Sequence, residues 1–159
     1  MSLQSIPQRL PLIEAITPQA GDAITGAYIS LKNAHRALVL VHINQANAAT
    51  VAISIEQATA VAGTGSKVIT NVVPIWANQD CVASDALVKQ TDAVNFTTSA
   101  AVKHKLVVFQ IDPETLDMAN GFDCITVKTG GSNAANITSA VYLLEPRYAQ
   151  ATPPSAIID

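Results

Sequence analysis

Two stretches decide the fold class: ALVLVHIN at residues 37–44 and TVAISIEQ at residues 50–57. Successive side chains of a β-strand point to opposite faces, so Val51, Ile53 and Ile55 in the second stretch share one face. The first stretch is apolar at almost every position, which is typical of a strand covered on both faces. Five residues separate the two stretches, which is the length of a hairpin connection.

The rest of the body continues this pattern of short strands. Val, Ile and Thr, which favour strands, recur in short runs rather than at helical spacing. Further strand candidates are residues 28–32, 67–73, 74–76, 93–98, 105–111, 123–129 and 136–144. About eight short strands separated by turn-forming residues predict an all-β protein, an antiparallel β-sandwich or jelly roll.

One short helix is predicted at residues 113–119. Asp112 stands at the N-cap position, Pro113 occupies the first helical position, and Glu114 places an acid in the first turn. Asn120-Gly121 then provides a left-handed exit.

The chain of 159 residues fits one body with two flanking segments. Residues 1–26 are predicted to form an extended N-terminal arm, because three prolines exclude a helix or a central strand. Residues 27–148 form the sandwich, and residues 149–159 a mobile tail or one extended against a neighbour. The arm is also apolar and should bury that surface against its own domain or a partner. Its candidate contact residues are Leu3, Ile6, Pro7, Leu10, Leu12 and Ile13.

The surface is predicted to have few charges. Charged residues make up 13% of the chain and the net charge is −3, which argues against binding to nucleic acid or an anionic membrane. A weakly charged surface resists self-association poorly. Such a surface is expected where copies of the chain or a partner cover it, and closed cyclic symmetry is the common arrangement for identical chains.

No residue pattern indicates catalysis or a cofactor. His35, His42 and His104 lack the spacing of a zinc motif, and a Cys81–His104 dyad is suggested only by residue type. The acidic residues near the predicted helix are explained more simply as caps than as metal or catalytic groups; they are Asp112, Glu114, Asp117 and Asp123. The chain is therefore expected not to be an enzyme.

The remaining composition indicates a protein without a membrane span or a disulfide. No apolar run of about 18 residues is present, and no signal peptide is expected at the start. Cys81 and Cys124 are interpreted as two buried thiols.

The second half carries a resemblance to a known class of proteins. LVVFQIDPETLD at residues 106–117 leads into GFDCITV at 121–127, SNAANI at 132–137 and YLLEPRY at 142–148. These segments resemble capsid-stabilising decoration proteins of tailed bacteriophages, which have a jelly-roll-like body. The similarity covers roughly residues 105–148 and lies in residues of the fold rather than of a site.

The resemblance implies a homotrimer on the outer surface of the phage head. Such proteins clamp neighbouring copies of the major capsid protein against the pressure of the packaged DNA, and their N-terminal arm commonly adds to the contact. Two alternatives remain: a receptor- or glycan-binding sandwich on a tail or fibre, and an enzyme on a jelly-roll scaffold. The first would favour exposed aromatics in a groove, and the second needs clustered His and carboxylate ligands.

Overall fold

The computed structural model describes residues 5–148, 150 and 152–158. Eleven strands, one α-helical turn and two 3₁₀ turns are present in this part of the chain. Their bounds are α1 Ile6–Arg9, β1 Leu12–Ala20, β2 Ile29–Ser30, β3 Ala34–Asn44, β4 Ala52–Ala58, β5 Lys67–Val68, β6 Ile75–Asn78, β7 Val88–Lys89, β8 Asn95–Thr97, β9 His104–Ile111, β10 Cys124–Thr129 and β11 Ile137–Pro146.

The strands form two antiparallel sheets. The larger sheet has the order β1-β11-β3-β9-β6-β7, and the smaller has the order β2-β10-β4-β5, with β8 also paired to β4. Side chains of both sheets meet in one buried core. The predicted all-β antiparallel sandwich is confirmed.

The core follows from the alternation of each strand. In β3 the side chains of Val39, Val41 and Ile43 are fully buried, and those of Ile53 and Ile55 in β4 are buried opposite them in the smaller sheet. Burying each Val or Ile contributes roughly 1.5–3 kcal/mol relative to exposure, so this paired layer supplies much of the stability.

The two stretches that indicate the fold are not a hairpin. Strand β3 pairs with β11 and β9 in the larger sheet, whereas β4 pairs with β10, β5 and β8 in the smaller one. The connection between them crosses from one sheet to the other. Asn47 lies in it, and its backbone N–H donates to the side chain of Asn136 at 2.8 Å, which directs the chain away from a tight turn.

The predicted helix at 113–119 is instead two separate 3₁₀ turns, Pro113–Thr115 and Met118–Asn120. Leu116 between them is buried in the core, and the Asp117 N–H donates to the Gln57 side chain at 2.8 Å. These tertiary contacts interrupt a segment that is too short for stable helix propagation. The predicted exit is present, because Gly121 has a φ of 80°.

The second half of the predicted N-terminal arm is part of the sandwich. Strand β1 lies at the edge of the larger sheet against β11, and Ala15 and Ile16 are buried. Pro18 is compatible with this position, because an edge strand need not donate every N–H to a neighbour. The turn α1 precedes it, with Ser5 and Gln8 forming a capping box.

Ala156 joins the C-terminal segment to the body. The Ser30 N–H donates to the Ala156 carbonyl at 2.7 Å, and Ala156 packs against the core. Ile157 and Ile158 beyond it are exposed. The mobility expected for residues 149–159 stays a prediction.

The Tyr142 hydroxyl joins the two sheets. Tyr142 is fully buried on β11 of the larger sheet, accepts a hydrogen bond from the Val127 N–H in β10 at 3.1 Å, and donates to the Ala27 carbonyl at 2.8 Å. Burial raises the pKa of Tyr142 to about 12, so the hydroxyl remains a neutral donor at ordinary pH.

Replacing Tyr142 with Phe should destabilise the fold without changing its shape. The variant leaves the Val127 N–H and the Ala27 carbonyl buried without that partner, which costs about 1–3 kcal/mol of unfolding free energy. Urea denaturation measures the loss. Tyr148→Phe is the matched control, because Tyr148 is exposed. Equal stability of the two variants would contradict the role of the hydroxyl.

Candidate functional site: the outer face of the larger sheet

The outer face of the larger sheet is apolar across its middle. Strand alternation directs every second side chain away from the core, and those in the middle of the sheet are aliphatic or aromatic. We call the following seven residues the apolar face: Leu38, Leu40, Trp76, Leu106, Val108, Val141 and Leu143.

The strand register places these side chains next to one another. Val141 is opposite Leu40, Leu40 is opposite Val108, and Val108 is opposite Trp76, so one apolar row crosses four strands. A second row begins with Leu143 opposite Leu38. Leu12 of β1 extends that row to the edge of the sheet, where it is 63% exposed.

Polar residues border the apolar face at both ends. Arg36 pairs with Asp112 at 2.8 Å and lies 3.9 Å from Glu145 at one end. His42 and His104 are exposed at the other end. An apolar centre with a polar rim is the layout of a protein–protein contact.

The outer face of the smaller sheet has the opposite character. Lys128 and Glu56 form an ion pair at 2.7 Å, and the Ser66 hydroxyl donates to Glu56 at 2.6 Å. Lys67 pairs with Asp117 at 2.6 Å and lies 4.0 Å from the centre of the Phe122 ring. These charges already have partners within the chain, so this face is suited to water.

Hydrogen bonding sets the charge of Glu56. Partial burial raises the pKa of Glu56, but the hydrogen bonds from Lys128 and Ser66 outweigh it and hold the pKa below its ordinary value. The carboxylate is therefore ionised throughout the neutral range. The two outer faces thus differ in chemistry. The smaller sheet is ion-paired, whereas the larger sheet is apolar in its middle and charged at its borders, where Lys89 lies 5.1 Å from the centre of the Trp76 ring.

The six predicted arm residues do not share one environment. Ile6 and Pro7 in α1 are exposed, and Leu10 lines a groove with Leu38 of the apolar face. Ile13 packs against the core instead. Leu3 lies outside the described residues. Ile6, Leu10 and Leu12 therefore provide the accessible apolar side chains of this segment.

The acidic residues near 112–123 are held apart by separate cations. Asp112 binds Arg36, Asp117 binds Lys67, and Asp123 lies 3.6 Å from Lys32. Asp112 stands at the N-cap position of the first 3₁₀ turn, as predicted, but its carboxylate binds Arg36 and makes no side-chain cap hydrogen bond.

Cys81 and His104 are neighbours through the backbone, but their side chains do not form the dyad that residue type suggests. The Cys81 N–H donates to the His104 carbonyl at 2.9 Å, whereas the thiol contacts the Asn78 carbonyl at 3.9 Å and the imidazole stacks on His42. Cys124 is buried as predicted, but Cys81 is exposed, contrary to the expectation of two buried thiols.

The basic run 103–105 is divided between two environments. Lys103 faces outward and pairs with Asp80 at 2.9 Å, whereas Lys105 is fully buried. The Lys105 ammonium donates to the Gln45 side chain at 2.9 Å and to the carbonyl and hydroxyl of Ser99 at 2.5 and 3.0 Å. Burial lowers the pKa of Lys105. The run therefore does not form a basic surface patch.

No helix in the described residues is both long and apolar enough to cross a membrane. No protein-family model and no curated protein sequence matches the chain.

Solved structures provide only distant likenesses. The SPBc2 prophage-derived protein YomS aligns with 7% identity and a TM-score of 0.48, over 85% of this chain and 92% of that one. A proposed sugar-binding protein from Bacteroides thetaiotaomicron VPI-5482 aligns with 15% identity and a TM-score of 0.29, over 84% and 82% of the two chains. A structure described as CBM4 aligns with 8% identity and a TM-score of 0.30, over 89% and 88%. All three TM-scores are below 0.5, so these neighbours assign no function to this chain.

Replacing Lys105 with Met should leave stability at pH 7 unchanged or raise it by up to about 2 kcal/mol, because an apolar isostere avoids burying a charge. The acceptors keep other donors, since Thr98 donates to the Gln45 oxygen and the Gln45 amide donates to the Ser99 carbonyl.

The pH dependence of the unfolding free energy separates the effect of the buried Lys105 charge from the effect of side-chain packing. The folded-state pKa of Lys105 lies below 10.5, so the unfolded chain holds this proton more tightly than the folded one. The unfolding free energy of the wild type therefore rises as the pH increases from the folded-state pKa toward 10.5. Lys105→Met lacks this rise, so any advantage of the variant shrinks across that window in denaturant titrations. A constant difference from pH 7 to 10.5 would contradict a depressed pKa.

Proposed function

We propose that this chain is a structural protein of a phage virion that decorates the outside of the head. It binds there as a homotrimer and reinforces the contacts between major capsid subunits against the pressure of packaged DNA. The apolar face is its principal contact surface, and the α1 segment adds a second contact. The chain performs no catalysis in this role, and it acts without nucleic acid or membrane as a partner.

The observation that carries the proposal is the contrast between the two outer faces. A two-layer sandwich covers each sheet on one side only, yet the middle of β3 carries two leucines, Leu38 and Leu40, on its outward side. Transferring such surface from water into a contact is favourable at roughly 25 cal/mol per Å². Val141 is exposed, and Leu38 and Leu40 beside it are half-buried. Contiguous apolar surface of this kind favours an interaction site.

The choice of a phage head as the partner rests on the resemblance of residues 105–148 to decoration proteins. That segment includes β9, β10 and β11, so it contributes Leu106, Val108, Val141 and Leu143 to the apolar face. The low fraction of charged residues also favours a protein whose surface is buried in contacts with other proteins.

The mechanism is mass action on the assembled shell. A protein that binds the closed shell but not its separate subunits stabilises the shell in proportion to its affinity and occupancy. A trimer presents three copies of each contact, and linked contacts bind far more tightly than one alone because the second binding event is intramolecular.

A charge placed in the apolar face should abolish binding to capsids. Val141 is exposed, so Val141→Lys leaves the core intact while burying an unpaired charge in any contact made there. Co-sedimentation with expanded capsids built from the major capsid protein of the same genome measures binding, and we expect at least a tenfold loss of affinity. Ala52→Lys is the matched control, because Ala52 is exposed on the outer face of the smaller sheet.

Retention of full capsid binding by Val141→Lys, or an equal loss in Ala52→Lys, would contradict the assignment of the contact to the apolar face. Light scattering of the same samples gives the oligomeric state. A mass of three chains is expected for the wild type, and a monomer at all concentrations would contradict the trimer.

The α1 contact has its own test. Ile6 is 73% exposed and takes no part in the core, so Ile6→Ser should weaken capsid binding and leave the unfolding midpoint unchanged. Val68→Ser, at an exposed site in the smaller sheet, should change neither. Undiminished capsid binding by Ile6→Ser would remove this segment from the contact.

A further inference from the structure

Two of the three histidines form a pair on the outer face of the larger sheet. His42 lies in β3 and His104 begins β9, and both side chains are exposed. Their ring centres are 6.5 Å apart and their planes differ by only 6°. The register explains the pair, because Asn44 stands opposite His104 and Leu106 opposite His42, which makes the histidines diagonal neighbours on one face.

We infer that His42 and His104 together bind one divalent transition-metal ion such as Zn²⁺, Ni²⁺ or Cu²⁺. The imidazole nitrogen is a preferred ligand of these ions, with a metal–nitrogen bond of about 2.0–2.1 Å to Zn²⁺. The observed ring-centre separation of 6.5 Å is longer than a tetrahedral ion allows, and the rings are nearly parallel. Rotation of the two side chains therefore has to bring the rings closer and turn one nitrogen of each toward a common ion.

The two imidazoles are available for this role. Neither ring takes part in a hydrogen bond or ion pair with any residue in the described part of the chain. Their backbones are held in place, because β3 lies between β11 and β9, and β9 lies between β3 and β6. A rigid sheet keeps the two ligands together before the ion arrives, so binding requires little ordering.

The surroundings permit a cation. Lys103, the residue before His104, is paired with Asp80 at 2.9 Å, and the Lys105 ammonium is in the interior on the other side of the sheet. The described residues contain no cluster of three or more His, Cys, Asp or Glu side chains. When the protein is alone in solution, water molecules therefore fill the remaining coordination positions of the ion. The exposed Asn44 amide, opposite His104, is the nearest oxygen donor by register.

The inference is independent of the proposed function, since it concerns two side chains at the polar rim of the apolar face. The test uses the full chain carrying Cys81→Ser, so that the exposed thiol contributes nothing. Isothermal titration calorimetry with Zn²⁺ and with Ni²⁺ should show one ion per chain. Adding His42→Ala or His104→Ala should lower the affinity by at least tenfold.

His35→Ala is the matched control, because His35 is exposed on the same strand but at its opposite end. Its affinity should equal that of the parent. Equal affinities in all three histidine variants, or loss of binding with Cys81→Ser alone, would overturn the inference, as would the absence of binding in the parent.

An NMR titration of the parent protein provides a measurement without histidine variants. Zn²⁺ should shift the imidazole resonances of His42 and His104 together, with saturation at one equivalent, and leave those of His35 in place. A shift of His35 alone, or of none of the three, would overturn the inference.

Discussion

The middle of strand β3, residues 37–41, is apolar on both of its faces, and a two-layer sandwich covers only one of them. Val39, Val41 and Ile43 point into the core and are fully buried, whereas Leu38 and Leu40 point the other way. The sequence pattern is that of a strand enclosed on both sides. The sandwich satisfies half of this pattern, and in the proposed function a partner covers the other half.

Other contacts of the fold hold the inward and outward sides of the larger sheet in place. Tyr142 ties the larger sheet to the smaller one through its hydroxyl, and the buried group of Lys105, Gln45 and Thr98 anchors the chain where it enters β9. The backbone pairing of β3 with β11 and β9 sets the register of the larger sheet. The register in turn assembles residues from β3, β6, β9 and β11 into one continuous outer surface.

Local patterns predicted the strands but not the way they pair. The alternation in residues 50–57 correctly indicates the buried side of β4, because burial of one face imposes a period of two. The hairpin between β3 and β4 was wrong, since a connection of five residues can also cross between sheets. The helix at 113–119 failed because Leu116 is drawn into the core, a tertiary contact that no capping signal reveals.

The candidate site illustrates the same limit. The apolar outward residues of β3 are visible in the sequence, but their neighbours Trp76 and Val141 come from distant segments that only the register brings together. The His42–His104 pair likewise depends on a pairing between residues far apart in the chain. By contrast, the exposed arm residues Ile6 and Leu12 could be selected directly, since prolines around them exclude a buried helix.

The central claim is that the outer face of the larger sheet becomes covered while that of the smaller sheet stays in water. Hydroxyl-radical footprinting read by mass spectrometry measures this for individual side chains, in the free protein and in its capsid-bound state. Trp76 and Leu106 report on one face, and Phe122 and Tyr28 on the other. Oxidation of the first pair should fall severalfold on assembly while that of the second pair is unchanged. Unaltered oxidation of Trp76 and Leu106, or protection of Phe122 and Tyr28 instead, would contradict the account.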